Sequence, residues 1–100
     1  MRELEIYLPT MTNRGTPIDS SEIERIKKML VDVFGGYTHL DQRFKGAWRM
    51  GRVTMLDEVT IVRVLDDGTA TFDLVAFKAS LERRLEQKEV LIIERDVRMI

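Results

Sequence analysis

The chain contains no cysteine, and its 100 residues include only two prolines, one tryptophan and one histidine. Without cysteine there are no disulfides and no thiolate metal sites; this usage fits a reducing compartment, and the expected location is the cytoplasm. A single histidine supplies too few ligands for a metal centre, which draws on three or four side chains, so no metal is expected, and no other cofactor. No apolar run approaches the length of a membrane span. The opening MRELEIYLPT carries charges inside its apolar run, unlike a secretion signal. An excess of one charge is missing too. Sixteen basic residues against seventeen acidic ones give a net charge of -1. The molecule as a whole is therefore not built to hold a polyanion, and a nucleic-acid site would have to be a local patch.

What is present is ordinary for a globular protein: 44% of residues are hydrophobic and 33% charged, which argues against disorder. The length suits a single domain, residues 1–100, around one modest core. Residues 3 to 8, ELEIYL, alternate, with Leu4, Ile6 and Leu8 on one face and Glu3, Glu5 and Tyr7 on the other. That pattern predicts a half-buried strand ended by Pro9. After a loop holding Asn13, Gly15 and Pro17, three candidate N-caps follow: Asp19, Ser20 and Ser21. Ser21 with Glu24 has capping-box spacing, and Glu24 with Lys28 an i,i+4 pairing. Ile23, Ile26, Leu30, Val33 and Phe34 keep helical spacing up to Gly35-Gly36, which stops the helix as a left-handed cap.

From Tyr37 the period becomes two. Residues 37 to 55 predict one bent or bulged strand, or two short ones, with Asp57-Glu58 as the following turn. VTIVRVL, residues 59 to 65, reads as a strand apolar on both faces, closed by Asp66-Asp67-Gly68. The next stretch is open to two readings. Residues 69 to 77 can return as a hairpin arm after Asp-Gly, or Thr71 can cap a helix beginning near residue 72, with Leu74, Phe77, Leu81 and Leu85 as its buried stripe. The helix is preferred, because KASLERRLEQK is strongly helical. Residues 89 to 94, EVLIIE, are the last strand. The order β-α-β-β-α-β closes most simply as a ferredoxin-like α+β sandwich: a four-stranded antiparallel sheet with two helices on one face.

Four short motifs add to this reading. Gly36-Tyr37-Thr38, Gly46-Ala47-Trp48, Glu58 and Gln87-Lys88-Glu89-Val90 resemble a family of small uncharacterised bacterial proteins, over about residues 34 to 92. That family has a glycine-x-threonine strand, a glycine-x-tryptophan turn, a following glutamate, and a glutamine-glutamate-serine-valine stretch. The chain departs from it at Lys88-Glu89. The resemblance implies a ferredoxin-like fold and carries no activity.

The stretch from Phe34 to Met55 holds four of the six glycines, the tryptophan and the histidine, and it concentrates the candidate site residues. Tyr37, His39, Asp41 and Arg43 share one side of the predicted strand. If Leu40 and Phe44 take the helix-covered side, this stripe lies on the open sheet face. His39 could then act as an acid or base and Arg43 hold an anion; the plainer alternative is a solvated edge strand. Arg43, Lys45, Arg49 and Arg52 alternate with Phe44 and Trp48 in a way that can suit nucleic acid, but residues 59 to 65 carry no aromatic and the net charge does not favour it. Gly35-Gly36 follows a helix instead of preceding one, so it is no phosphate loop.

The expected function is a homo-oligomer, most simply a dimer, that binds a small anionic ligand beside a sheet-to-sheet interface. Tyr37, His39, Arg43, Trp48 and Arg49 would line the pocket. Val59, Ile61, Arg63 and Leu65 would form the interface, with Val62 and Val64 under the helices and Arg63 at its rim or meeting a partner's acid, for which Glu5 is a candidate. Two alternatives come from other classes. One is a cofactor-independent enzyme working through His39, with Tyr7 or Tyr37 orienting the substrate. The other is a ligand-free structural or regulatory adaptor. Trp48 is expected to be at least partly buried, after a Gly-Ala step that lets backbone approach.

Overall fold

A computed structural model describes residues 1–100. Six elements follow in order: β1 (Arg2–Pro9), α1 (Ser20–Phe34), β2 (Thr38–Met50), β3 (Val53–Asp66), α2 (Leu74–Arg84) and β4 (Ile92–Asp96). The strands form one antiparallel sheet in the order β2-β3-β1-β4. The fold class is therefore α+β. No helix is long and apolar enough to cross a membrane.

β1 lies in the middle because its alternation suits two environments. Leu4, Ile6 and Leu8 are fully buried and join Val62 and Val64 of β3 in one cluster with Ile26 and Leu30 of α1 and Leu81 and Leu85 around α2. Both helices thus press on the same side of the sheet, and Val62 and Val64 stand under them as expected. The α1 N-cap is Asp19, whose carboxylate accepts from the Ser21 N–H, and Glu24 pairs with Lys27 and not with Lys28. Gly35 ends α1 at φ 87°, its N–H bonded to the Val31 carbonyl at 2.8 Å, in the left-handed cap that a side chain would oppose. α2 settles the open choice after Gly68 in favour of the helix. Its cap is Asp73, which accepts from the Ala76 N–H at 3.0 Å, two residues later than Thr71.

The hairpin between the helices departs from expectation. β3 begins at Val53, and the turn is Gly51-Arg52, not Asp57-Glu58. Met50 faces Val53 directly across a two-residue loop, and Gly51 at φ 63° fills the first central position, where positive φ favours glycine. Asp57 and Glu58 stay in mid-strand opposite Gly46 and Lys45. The expected bulge exists, at residues 41 to 43: Leu40 faces Ile61 and Phe44 faces Val59, so β2 spends two more residues than β3 over that step. β4 is shifted towards the C-terminus relative to residues 89 to 94. Val90 is buried ahead of it, and Arg95 and Asp96 are paired within it.

Because β2 and β3 run 13 and 14 residues while β1 runs 8, the hairpin overhangs the helix-covered sheet. The molecule measures 41 × 28 × 26 Å along its principal axes. Truncation of the fully buried Leu30 to alanine removes a core side chain that α1 shares with three elements. We expect Leu30→Ala to lower unfolding free energy by about 2–5 kcal/mol in urea titration, with an unchanged slope.

Candidate functional site

Strand register decides what faces the uncovered side of the sheet. Glu3, Glu5, Tyr7 and Pro9 stand opposite Leu65, Arg63, Ile61 and Val59, and Glu5 also stands opposite Ile93 of β4. At the centre is Glu5, only 3% exposed although no helix covers it. Its carboxylate accepts from the Tyr7 hydroxyl at 2.6 Å, from Arg63 Nε at 2.8 Å and from an Arg95 guanidinium nitrogen at 3.3 Å. Arg95 also reaches Glu3 at 3.1 Å. Burial pushes the Glu5 carboxyl up, but the three hydrogen bonds outweigh it and hold the group below the usual carboxylate range. The hydrogen bond to Glu5, with burial, raises the Tyr7 phenol. Arg63 thus meets Glu5 of its own chain, and the pair needs no partner subunit.

The expected facing of β2 is reversed. Leu40 lies opposite Ile61 and Phe44 opposite Val59, so both belong to the open face. His39 lies opposite Val62 and therefore turns towards the helices, where its Nε2 bonds Thr60 Oγ1 at 3.1 Å. Burial lowers its pKa, and the nearby Lys27 charge lowers it further. Tyr37 precedes the strand, and the Lys27 ammonium sits 5.5 Å from its ring centre. The stripe was phased by its largest apolar residues. The flank of α1 beside β2 carries Lys27 and Glu24, so it accepts the polar residues instead. Arg43 projects from the bulge to Glu58 at 3.0 Å, and Asp41 is exposed there.

Of the residues expected at the interface, Val59 is 8% exposed, Ile61 is half-buried, Arg63 is paired and Leu65 is 44% exposed. The heavier apolar surface lies further along the hairpin. Phe44, Trp48, Met50, Val53 and Met55 have the same parity as Val59 and Ile61 and are each between 37% and 58% exposed. Trp48 keeps 42% of its area exposed, so it is partly buried, as expected. A hydrogen bond also holds it: its indole Nε1–H donates to Asp57 at 2.5 Å. Gly46 makes room for this. A Cβ there would lie 2.5 Å from the other Asp57 oxygen and 3.5 Å from the indole nitrogen.

Beyond Pro9, β3 has no neighbour on its β1 side, and a groove of about 840 Å³ follows that gap. Tyr7, Trp48 and Met55 line it from the open face, and Lys45, Arg49 and Lys88 lie along the rest of its wall. Gln87 ties two wall segments together, its side-chain N–H₂ donating to the Met11 carbonyl at 2.7 Å and the Leu85 carbonyl at 3.0 Å. Two acids in the groove are ion-paired, Glu58 with Arg43 and Glu89 with Lys78 at 3.7 Å; Asp57 accepts only from the neutral Trp48 indole and keeps its charge. Lys45, Arg49 and Lys88 form no ion pair, so three unpaired cations outnumber Asp57 and the balance is positive. Of the five residues expected around a ligand, the groove gathers Trp48 and Arg49; Tyr37, His39 and Arg43 stand outside it. Tyr7, named only in the enzyme alternative, lines the groove, while Met55 and the 87–89 wall are not among the expected site residues. Gly51 was the signal for Met55, since a turn there places VTM across from AWRM. No group of His, Asp and Glu side chains gathers closely enough to hold a metal ion. No family model, curated protein or solved structure matches the chain.

Two outcomes follow from this geometry. Gly46→Ala should push Asp57 off the indole and shift Trp48 emission, with the hairpin still formed; unchanged emission would mean that the close approach does not hold the ring. Glu5 links stability to pH. Its folded pKa lies below its unfolded value, so its contribution is complete above the ordinary carboxylate pKa and is lost as pH falls through the folded value. Comparing denaturation midpoints of the wild type and Glu5→Gln should show a gap at neutral pH that narrows on acidification below about pH 4.5.

Proposed function

We propose that the chain is a ferredoxin-like homodimeric binding protein, in which two copies meet across the open face of the hairpin and leave the adjoining groove as a ligand cleft. The fold assignment rests on the β-α-β-β-α-β order with β1 and β3 central and both helices on one side, as the resemblance to the small bacterial family also implies. The dimer rests chiefly on one observation: a single parity of the hairpin exposes Phe44, Trp48, Met50, Val53 and Met55 together. Taking about 200 Å² for a large side chain, these exposures amount to a patch on the order of 400 Å², the size of the largest apolar patches on monomers, which are often functional.

A second copy suits this patch better than an unlike partner. A two-fold axis sets the same apolar side chains against each other. The net charge of -1 opposes association little. The interface centre moves from Val59, Ile61, Arg63 and Leu65 to the hairpin, with Ile61 and Leu65 continuing it across the sheet. The free Lys45, Arg49 and Lys88 favour an anionic ligand. An enzyme working through His39 has no comparable support, because its ring lies under α1 and away from the groove. A cytoplasmic location fits the absence of cysteine.

Sedimentation velocity tests the dimer. The wild type should sediment as a dimer at tens of micromolar, and Met55→Glu, which places a charge in the patch without touching the core, as a folded monomer. A monomeric wild type removes the reading.

A further inference from the structure

The groove ends a sheet that could accept one more strand. β1 stops at Pro9 opposite Val59, and the last main-chain bond on that side runs from the Thr10 N–H to the Glu58 carbonyl at 3.0 Å. β3 continues for five more residues to Val53, paired with β2 alone. In an antiparallel ladder, main-chain groups turn alternately to the two neighbours. Glu58 turns towards β1, so Leu56 and Thr54 turn the same way, and neither has a main-chain partner there. This edge lacks the usual devices that block pairing: the run Val-Thr-Met-Leu holds no proline, lysine or bulge. Leu56 is 80% exposed beside it.

We propose that the groove binds an extended peptide segment with alternating apolar and acidic residues, which adds as a strand along β3 at Thr54–Leu56. This inference rests on the ligand cleft proposed above and names its ligand class. An added strand continues the line of β1 between β3 and the 87–91 wall. Its side chains alternate between faces. Those level with Met55 and Asp57 meet Tyr7, Trp48 and Met55, an apolar and aromatic surface. Those level with Thr54 and Leu56 point to the opposite side, where Lys45 and Arg49 reach the groove with their charges unmatched. The groove volume of about 840 Å³ lies within the span of ordinary ligand sites. Glu58 and Glu89 are paired with Arg43 and Lys78, and Asp57 keeps its charge against a neutral indole, so three unpaired cations face one unpaired acid and the balance left to select a ligand is positive.

The test uses the wild-type full chain labelled with ¹⁵N and a capped hexapeptide alternating valine and glutamate. On titration, the amide signals of Thr54 and Leu56 should move downfield and saturate, and their hydrogen exchange should slow at least tenfold. A peptide N-methylated on its edge-facing nitrogens, or one with lysine for glutamate, should bind about tenfold more weakly or not at all. Arg49→Glu should weaken the valine–glutamate peptide by a similar factor. The inference is overturned if Thr54 and Leu56 do not respond, if the N-methylated peptide binds equally, or if free glutamate gives the same response. It is also overturned if both amides are already protected in the peptide-free protein, since a second copy would then occupy the edge. Sedimentation of the same samples separates the two proposals. A dimer whose edge ignores the peptide overturns this inference alone; a monomer whose edge takes the peptide overturns the dimer and supports this inference.

Discussion

A mismatch of strand lengths governs the molecule. Two helices of 15 and 11 residues can cover a sheet about as long as β1, and the core of Leu4, Ile6, Leu8, Val62 and Val64 lies where they do. β2 and β3 are longer than that cover. Everything past Val59 and Phe44 is sheet without a helix above it and, on one edge, without a neighbouring strand. The apolar patch, the groove and the free β3 edge are all consequences of this overhang. A shorter hairpin would have removed them together.

Where the sheet is uncovered but central, polar chemistry replaces the missing layer. Tyr7, Arg63 and Arg95 close over Glu5 and satisfy it with three donors, so a carboxylate becomes as buried as a core residue. Such a charge is tolerable only because every donor is in place; removing one leaves the others around an under-satisfied anion. The same face therefore changes character along its length, ionic over β1 and β4 and apolar over the hairpin. That division makes the hairpin, and not the sheet centre, the surface for the proposed dimer.

Much of the fold was legible because local signals agreed. The alternation of ELEIYL marks a half-buried strand and Gly35 a helix stop, and KASLERRLEQK tips the two readings after Gly68 towards the helix. The site was less legible for identifiable reasons. Asp57-Glu58 are more familiar turn residues than Gly51-Arg52, so the sequence points to a turn there, whereas the strands reverse at Gly51. Those two acids are instead held in the strand by Trp48 and Arg43, a tertiary effect that composition does not reveal. The face of β2 was assigned by size, giving Leu40 and Phe44 to the helices. The bulge and the polar flank of α1 decide otherwise and send His39 inward. For Arg63 the sequence offers an interface rim or a partner's acid, and strand register supplies Glu5 within the chain instead.

The central claim is that the overhanging hairpin face is covered by a second copy, and Trp48 reports on that face without any label because it is the single tryptophan. Acrylamide quenching of its emission, followed from nanomolar to tens of micromolar protein, measures the cover directly. The account predicts a quenching constant that falls several-fold as concentration rises, with a midpoint that matches assembly. A constant that stays high over the whole range would contradict it, because the indole would then remain open to solvent at every concentration.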